Sequence, residues 1–508
     1  VARWPSFDSD ALKLPLYLLP LILASACTGS TDPASAGHGV LVISIDALRA
    51  DHMGLFGYDR KTTPVLDAIA QDGVAFASTY SAAPRTLPAH CAILTGCDPN
   101  LARRYYQMES LAPEASRFVI PDAMPHIAVS MLGAGFTTAA FLDNEILSPV
   151  SGLDAGFQRF EGVGEESRLG QEPAGDDVGI RGVSRRFLNW AHELENDQDW
   201  FAYLEVGDLE RVWRHRDATW DGYFEPREGM DDVPPISNDT EAFFAQPRTR
   251  WLGGAVSLGQ YEARYDGRLR RLDSEFGAFF EALKRSGLFE NTTICIVGSF
   301  GLQFGEDGLI LDHGLYSKAD LHVPLIVRPA LGSDYEAGLV TEALASTLDV
   351  APTMLELAGI AEPPGMLGRS QVPNLKARAA DAEPVREVAF ASCGYQEGGA
   401  AIAADCALEM TFPGQALGTQ TAALSRAWFG DEADHSTQEN LRFYSPKTGA
   451  PFEPSSERRD ELKAAAIRWF VHTREARRAL FGSTWRGDGL PKERIDELVK
   501  LGYLGRRP

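Results

Sequence analysis

Positive charge is scarce in this chain. Its 508 residues carry 48 Lys and Arg against 71 Asp and Glu, a formal net charge of -23. So acidic a protein excludes nucleic acid as a partner, because phosphate contacts need clustered Lys and Arg. Cysteine is scarcer still: six residues, with no Cys-x-x-Cys pair and no zinc-finger spacing, which excludes a cysteine-built metal centre. An apolar run near the start, Leu14 to Leu23, is broken by Pro15 and Pro20 and is too short for a good transmembrane helix. There is no internal repeat and no long low-complexity tract. What is present is ordinary globular material, 44% hydrophobic, enough to bury one large core or two.

Residues 1–27 read as a targeting segment. Arg3 and Lys13 precede the apolar run, and Ala24-Ser25-Ala26 places small residues where a signal peptidase cuts, just before Cys27. The pattern is similar to a bacterial lipoprotein box. It implies a lipid on Cys27, a membrane as partner, and a location facing the periplasm or cell exterior. An ordinary secretory signal is the blander reading. Residues 28–38, rich in Ser, Ala and Gly, suit a flexible tether. Cys27 apart, five cysteines remain. Cys91 with Cys97, and Cys393 with Cys406, are spaced to close short loops, whereas Cys295 lies in an apolar strand and reads as a buried thiol.

Short apolar runs at 40–45, 136–141, 201–206, 293–298 and 322–327 alternate with helical patterns. Such alternation predicts an α/β fold with a mostly parallel sheet and helices on both faces. Thr63 is placed to cap a helix opened by Pro64 and ended near Gly73, and a second should stop near Gly96. Tyr265, Leu269, Leu272, Phe276, Phe279 and Leu283 keep helical spacing through a long amphipathic helix at 261–287. The stretch 216–250 reads as an exposed insertion. Beyond about residue 375 the texture changes to short strands and then charged helices at 456–480 and 491–501. That suggests a core domain over 39–375 and a smaller α+β subdomain over 376–508.

The most informative stretch is 40–57, where an apolar strand runs into Asp46. That is the carboxyl edge where open α/β sheets place their ligands. Forty residues on, Thr86-Leu-Pro-Ala-His-Cys sets a hydroxyl before a short helix. Further segments follow in order: Thr63-Pro-Val-Leu-Asp, Gly133-Ala-Gly-Phe-Thr-Thr-Ala-Ala-Phe, Gly156-Phe-Gln-Arg-Phe, Val323-Pro-Leu-Ile-Val-Arg-Pro and Asp349-Val-Ala-Pro-Thr-Met-Leu-Glu-Leu-Ala-Gly-Ile. Together they resemble the sulfatase family of the alkaline phosphatase superfamily, from about residue 39 to the C-terminus.

The resemblance implies a divalent cation held by Asp46 and a nucleophile at Thr86. The cation polarises a sulfate or phosphate ester and lowers the nucleophile's pKa. It also implies departures. Ala47 stands where sulfatases carry a second acid. Threonine bears a methyl on the carbon that formylglycine chemistry must oxidise, so Thr86 cannot become that aldehyde. His90 replaces the family's arginine. Ser299 and Phe300 stand where Asp and His or Asn ligands are expected, and a phenyl ring coordinates no cation. Glu205 and Glu210 fill histidine positions around a retained Asp208. His313 matches a residue that contacts the ester group in relatives, and Glu306 and Asp307 lie near it in sequence, either as replacement ligands or as solvent-facing loop residues.

Two readings follow. One is a lipid-anchored pseudoenzyme that keeps the fold and binds an anionic ester or a partner in the old pocket. The alternative is an active hydrolase or transferase of phosphate or sulfate esters. It would use Thr86 as nucleophile with His90 and His313, and Asp46, Asp208, Glu210 and Asp307 as ligands. The alternative needs Ca²⁺, Mg²⁺, Mn²⁺ or Zn²⁺; the first needs none.

Overall fold

The computed structural model describes residues 37–105, 117–162, 178–195, 197–210, 217, 219–237, 246–247, 252–307, 312–376, 384–392, 398–411 and 440–481. The Cys27 segment, Cys393 and the expected helix at 491–501 lie outside them.

Among the described residues, twelve strands precede residue 347: β1 (Gly39–Ile45), β2 (Val74–Tyr80), β3 (Arg103–Tyr105), β4 (Arg117–Val119), β5 (Thr137–Phe141), β6 (Arg159–Glu161), β7 (Trp200–Val206), β8 (Ile236–Ser237), β9 (Gln246–Pro247), β10 (Thr292–Gly298), β11 (Leu325–Arg328) and β12 (Leu339–Ser346). Eight of them form one sheet in the order β12-β2-β11-β10-β1-β7-β5-β6. Pairings are parallel except where β11 runs against β10 and β2. The pairs β3–β4 and β8–β9 are small separate ribbons.

Strand period two explains the layering. Leu41, Ile43 and Ile45 of β1, with Ala202 and Leu204 of β7, pack on helices Pro64–Gln71, Gly179–Ala191 and Leu258–Arg285. Val40 and Val42, with Phe201, Tyr203, Cys295 and Val297, face helices Thr86–Thr95, Ile127–Gly133 and Val350–Leu357 on the other side. A strand buried on both faces has to be apolar throughout, which is why these runs were visible in the sequence. The α/β expectation therefore holds. A four-stranded antiparallel sheet follows, β13 (Ala389–Ser392), β14 (Gly398–Ile402), β15 (Ala407–Thr411) and β16 (Asn440–Tyr444). The helix Ser456–Phe481 packs on it and reaches back to the main core, where Trp469 Nε1 donates to Asp98 at 2.6 Å.

Two local expectations are corrected. The Thr63 hydroxyl does not cap helix Pro64–Gln71: its oxygen accepts from the Gly54 N–H at 3.1 Å while it donates to Asp67 of the same helix at 2.9 Å. The free N–H groups of Val65 and Leu66 instead donate to Asp273, a buried carboxylate of helix Leu258–Arg285, at 3.0 and 2.9 Å. Nor are Cys91 and Cys97 paired; both are buried free thiols, as are Cys295 and Cys406. Cys91 Sγ lies 3.9 Å from Thr95 Oγ1 within its helix, whereas Cys97 Sγ donates to the Gly365 carbonyl at 3.4 Å, so the two sulfurs serve different neighbours. Gly96, with φ of +61°, turns the chain between them at the helix end.

The Asp273 cap carries a prediction. Asp273→Ala leaves two N–H groups at a buried helix end without acceptors and should cost about 2 kcal/mol of stability. Denaturant unfolding measures this, and Thr63→Ala should cost clearly less.

Candidate active site

Strand register builds the site. Ile45 of β1 pairs with Val206 of β7 and Gly298 of β10, so the residues that follow leave the sheet side by side. The Asp46 N–H donates to the Val206 carbonyl at 3.0 Å, and the Ser299 N–H donates to the Ile45 carbonyl at 3.1 Å. Asp46 is thereby held fully buried at the carboxyl edge. Ala47 then takes φ of +58°, the one positive value outside glycine among the described residues. That left-handed turn costs roughly 1 kcal/mol and is braced by the Tyr265 hydroxyl, which donates to the Ala47 carbonyl at 2.7 Å.

Protein donors surround the Asp46 carboxylate. Oδ1 accepts from the Ser299 hydroxyl at 2.5 Å and lies 2.9 Å from His90 Nε2; Oδ2 accepts from Asn144 Nδ2 at 3.4 Å. The other ring nitrogen of His90, Nδ1, contacts the Tyr203 hydroxyl at 2.5 Å. Burial alone would raise the Asp46 pKa. The neighbouring His90 and the hydrogen bonds from His90, Ser299 and Asn144 outweigh it and hold the carboxyl below its ordinary value.

Glu205 completes the cluster. It is fully buried, and its Oε2 accepts from the N–H groups of Asp143 and Asn144 at 2.7 and 2.8 Å. Its Oε1 is buried without a hydrogen-bond partner. Burial, followed by repulsion from Asp46, pushes its pKa well above the ordinary carboxylate range. Asp46, His90 and Glu205 each bring one ligand atom within 4.8 Å of the others. His52, Glu262 and Asp266 form a second such group. There, however, Tyr58 and Arg60 already donate to Asp266 at 2.6 and 2.7 Å, and Arg227 donates to Glu262 at 3.3 Å.

Thr86 is the first residue of helix Thr86–Thr95 and 5% exposed. One helical turn later on the same face comes His90. Both His90 nitrogens are engaged with Asp46 and Tyr203, which leaves neither for the Thr86 hydroxyl. Beside the helix entrance, His313 Nδ1 donates to the Pro84 carbonyl at 2.8 Å, and Nε2 lies 3.9 Å from Glu210. Burial disfavours charge on His313, but Glu210 overrides it and raises the imidazole pKa. The Phe300 ring lies against His313, centroids 4.3 Å apart. Glu210 also accepts from Asn144 Nδ2 at 3.1 Å, which links this group to Asp46.

The remaining acids have partners of their own. Asp208 accepts from the Ile180 N–H at 2.8 Å, at the start of helix Gly179–Ala191. Burial and then Glu275 push its pKa up to about 6. Asp307 pairs with Arg442 of β16. Glu306 accepts from Arg49 at 2.5 Å and from the Phe304 N–H at 2.6 Å. The structure thus gathers Asp46, His90, Ser299 and Glu205 in one cluster, with Thr86 one turn before His90 on its helix and Glu210 and His313 joined to it through Asn144. Asp208 is near enough for its charge to act on Glu205, whereas Asp307 is paired with Arg442. Sequence reasoning missed Asn144 and Tyr203. Asn144 follows β5 in a segment with no motif, but Tyr203 shares a face of β7 with Glu205 by strand period, and that signal was readable.

With this geometry in hand, likeness to known proteins can be weighed. A family model described as Sulfatase matches residues 38–360. A sulfatase from Formosa agariphila is 23% identical over 368 residues, 63% of this chain and 69% of its own length. A multifunctional alkaline phosphatase superfamily protein from Trinickia caryophylli is 32% identical, over 23% of each chain. Among solved structures, the phosphonate monoester hydrolase of Agrobacterium radiobacter superposes with a TM-score of 0.62 at 17% identity, covering 87% of this chain and 96% of that one. That likeness is one of fold.

The Ser299 contact yields a prediction. Because folding lowers the Asp46 pKa, its ionisation contributes stability above the unfolded value near 3.8. That contribution is lost as pH falls through the lower folded value. Ser299→Ala removes a donor to the charged form and should cost about 2 kcal/mol at pH 7. The difference from wild type should shrink as pH falls below 3.8, as read by denaturant unfolding at a series of pH values.

Proposed function

Since the chain belongs to the sulfatase family, we propose that it keeps the family's ester pocket for binding a sulfate-, phosphate- or phosphonate-type anion and has given up metal-dependent turnover there. One observation carries this reading: Asp46 Oδ1 accepts from Ser299 and meets His90 at the edge where the family's cation is expected. A Ca²⁺ or Mg²⁺ centre needs six or more oxygen ligands. Here Ser299 and Phe300 supply no carboxylate, and Asp208 and Asp307 are committed to other partners. These residues do not fit that oxygen-rich centre.

The pocket keeps features that suit an anion. Thr86 sits at a helix N-terminus, where free N–H groups and the helix dipole favour negative charge. His313 stands beside it with a raised pKa. His90, one turn from Thr86, has both nitrogens engaged with Asp46 and Tyr203 and so does not serve the Thr86 hydroxyl as a base.

We extend the proposal to location: an exported lipoprotein, anchored through Cys27. Among the described residues no helix is long and apolar enough to cross a membrane. The support is the Ala24-Ser25-Ala26-Cys27 pattern. Cys27→Ala should move the protein to the soluble fraction; unchanged membrane retention would count against the anchor.

For the pocket itself, purified protein with Ca²⁺ or Mg²⁺ should hydrolyse aryl sulfates and phosphonate or phosphate esters no faster than Thr86→Ala. The pair Ser299→Asp with Phe300→His should bring partial turnover that Thr86→Ala removes. Strong wild-type turnover lost on Thr86→Ala would establish the alternative, an active ester hydrolase.

A further inference from the structure

His313 and Glu210 face each other across a gap that neither fills. His313 Nδ1 is committed to the Pro84 carbonyl at 2.8 Å, two residues before Thr86, and the Phe300 ring lies against the imidazole, centroids 4.3 Å apart. That leaves Nε2 on the side of Glu210 Oε1, 3.9 Å away and beyond hydrogen-bond reach. Glu210 is held as well, because its other oxygen, Oε2, accepts from Asn144 Nδ2 at 3.1 Å. Both side chains keep some exposure, 24% for Glu210 and 11% for His313, so a ligand can reach them.

We propose that this pair makes the pocket selective for a phosphate monoester, recognised through its P–OH group, against sulfate esters and phosphodiesters. The inference rests on the anion-binding reading above and names the anion. An oxygen seated between two groups 3.9 Å apart can lie about 2.8 Å from both. To bond both, it must accept from the Nε2–H and donate to the Glu210 carboxylate, which only accepts. The P–OH of a singly protonated phosphate monoester does both. A sulfate ester offers only accepting oxygens, and so does an ionised phosphodiester.

Charge points the same way. Burial opposes a proton on His313, but Glu210 more than offsets it, so the imidazole keeps the Nε2–H that the ligand oxygen accepts from. An ester oxygen without a proton would bring its negative charge against the Glu210 carboxylate and be repelled. The protonated phosphate instead turns its hydroxyl to Glu210 and its anionic oxygens to the helix entrance at Thr86. A hydrogen bond that only one ligand can make discriminates well, because the wrong ligand leaves the site's own polar group unpaired. Glu210 is this chain's own departure from a histidine position of the family, so the acceptor belongs to this pocket.

The test titrates the full chain calorimetrically with methyl phosphate, methyl sulfate and dimethyl phosphate in turn, at about pH 6, where roughly half of a phosphate monoester keeps its P–OH. Methyl phosphate should bind at least about tenfold more tightly than either of the others, the worth of one hydrogen bond to a charged group. Glu210→Gln, whose amide can donate, should strengthen methyl sulfate binding and shrink the phosphate advantage below about threefold. Glu262→Gln, in the His52 cluster, should leave the ratios unchanged, and His313→Gln should weaken all three anions. The wild-type ratios need no variant to fold. Equal or tighter binding of methyl sulfate or dimethyl phosphate by the wild type, or a phosphate advantage kept in Glu210→Gln, would overturn the selectivity and leave the anion pocket standing. No binding of any of the three, or binding untouched by His313→Gln, would remove the pocket reading and this inference with it.

Discussion

A carboxylate with no access to water must find its countercharge and its hydrogen-bond donors inside the protein, and Asp46 sets that requirement for everything around it. Leaving such a group ionised and unpaired costs several kcal/mol. Three side chains from three separate elements meet it: His90 from the helix after β2, Ser299 after β10 and Asn144 after β5. Because each donor arrives on a different element, the carboxyl edge of β5, β7, β1 and β10 is drawn together at one point. The left-handed Ala47, braced by Tyr265, is the local strain that this edge carries.

The same requirement links the departures from the family pattern to one another. A serine at position 299 cannot ligate as an aspartate does, but it can donate, and a carboxylate in that place would repel Asp46 unless a cation lay between them. A histidine at position 90 is short enough to reach Asp46 and still rest on Tyr203. Phe300 cannot coordinate, yet it is buried and packs against His313. These are mutually consistent changes rather than scattered losses. The other acids also have partners within the protein: Asp208 takes a helix N–H and Asp307 an arginine.

How much was legible depends on whether the signal was local. Strands buried on both faces are apolar throughout, so β1, β7 and β10 could be read within one or two residues, and Asp46 with them. The helix Leu258–Arg285 was readable because its apolar face repeats over many turns. The cap of helix Pro64–Gln71 was not, because its acceptor, Asp273, lies some 200 residues away and no local pattern announces it. Spacing alone suggested a Cys91–Cys97 bridge, but a helix end and a left-handed glycine send the two sulfurs to different neighbours. Asn144 is the harder case: its role is conferred by where β5 ends, and sequence carries no trace of that.

The central claim is that protein donors hold Asp46 where the family would place an oxygen-bound cation. A high-resolution crystal structure of the protein grown in Ca²⁺, with an anionic aryl ester soaked in, tests it most directly. The account predicts Asp46 on His90 and Ser299, with the ester group resting at Thr86 and His313 and no cation between Asp46 and Thr86. A Ca²⁺ ion bridging Asp46, Thr86 and the ester, with His90 swung away from Asp46, would contradict it.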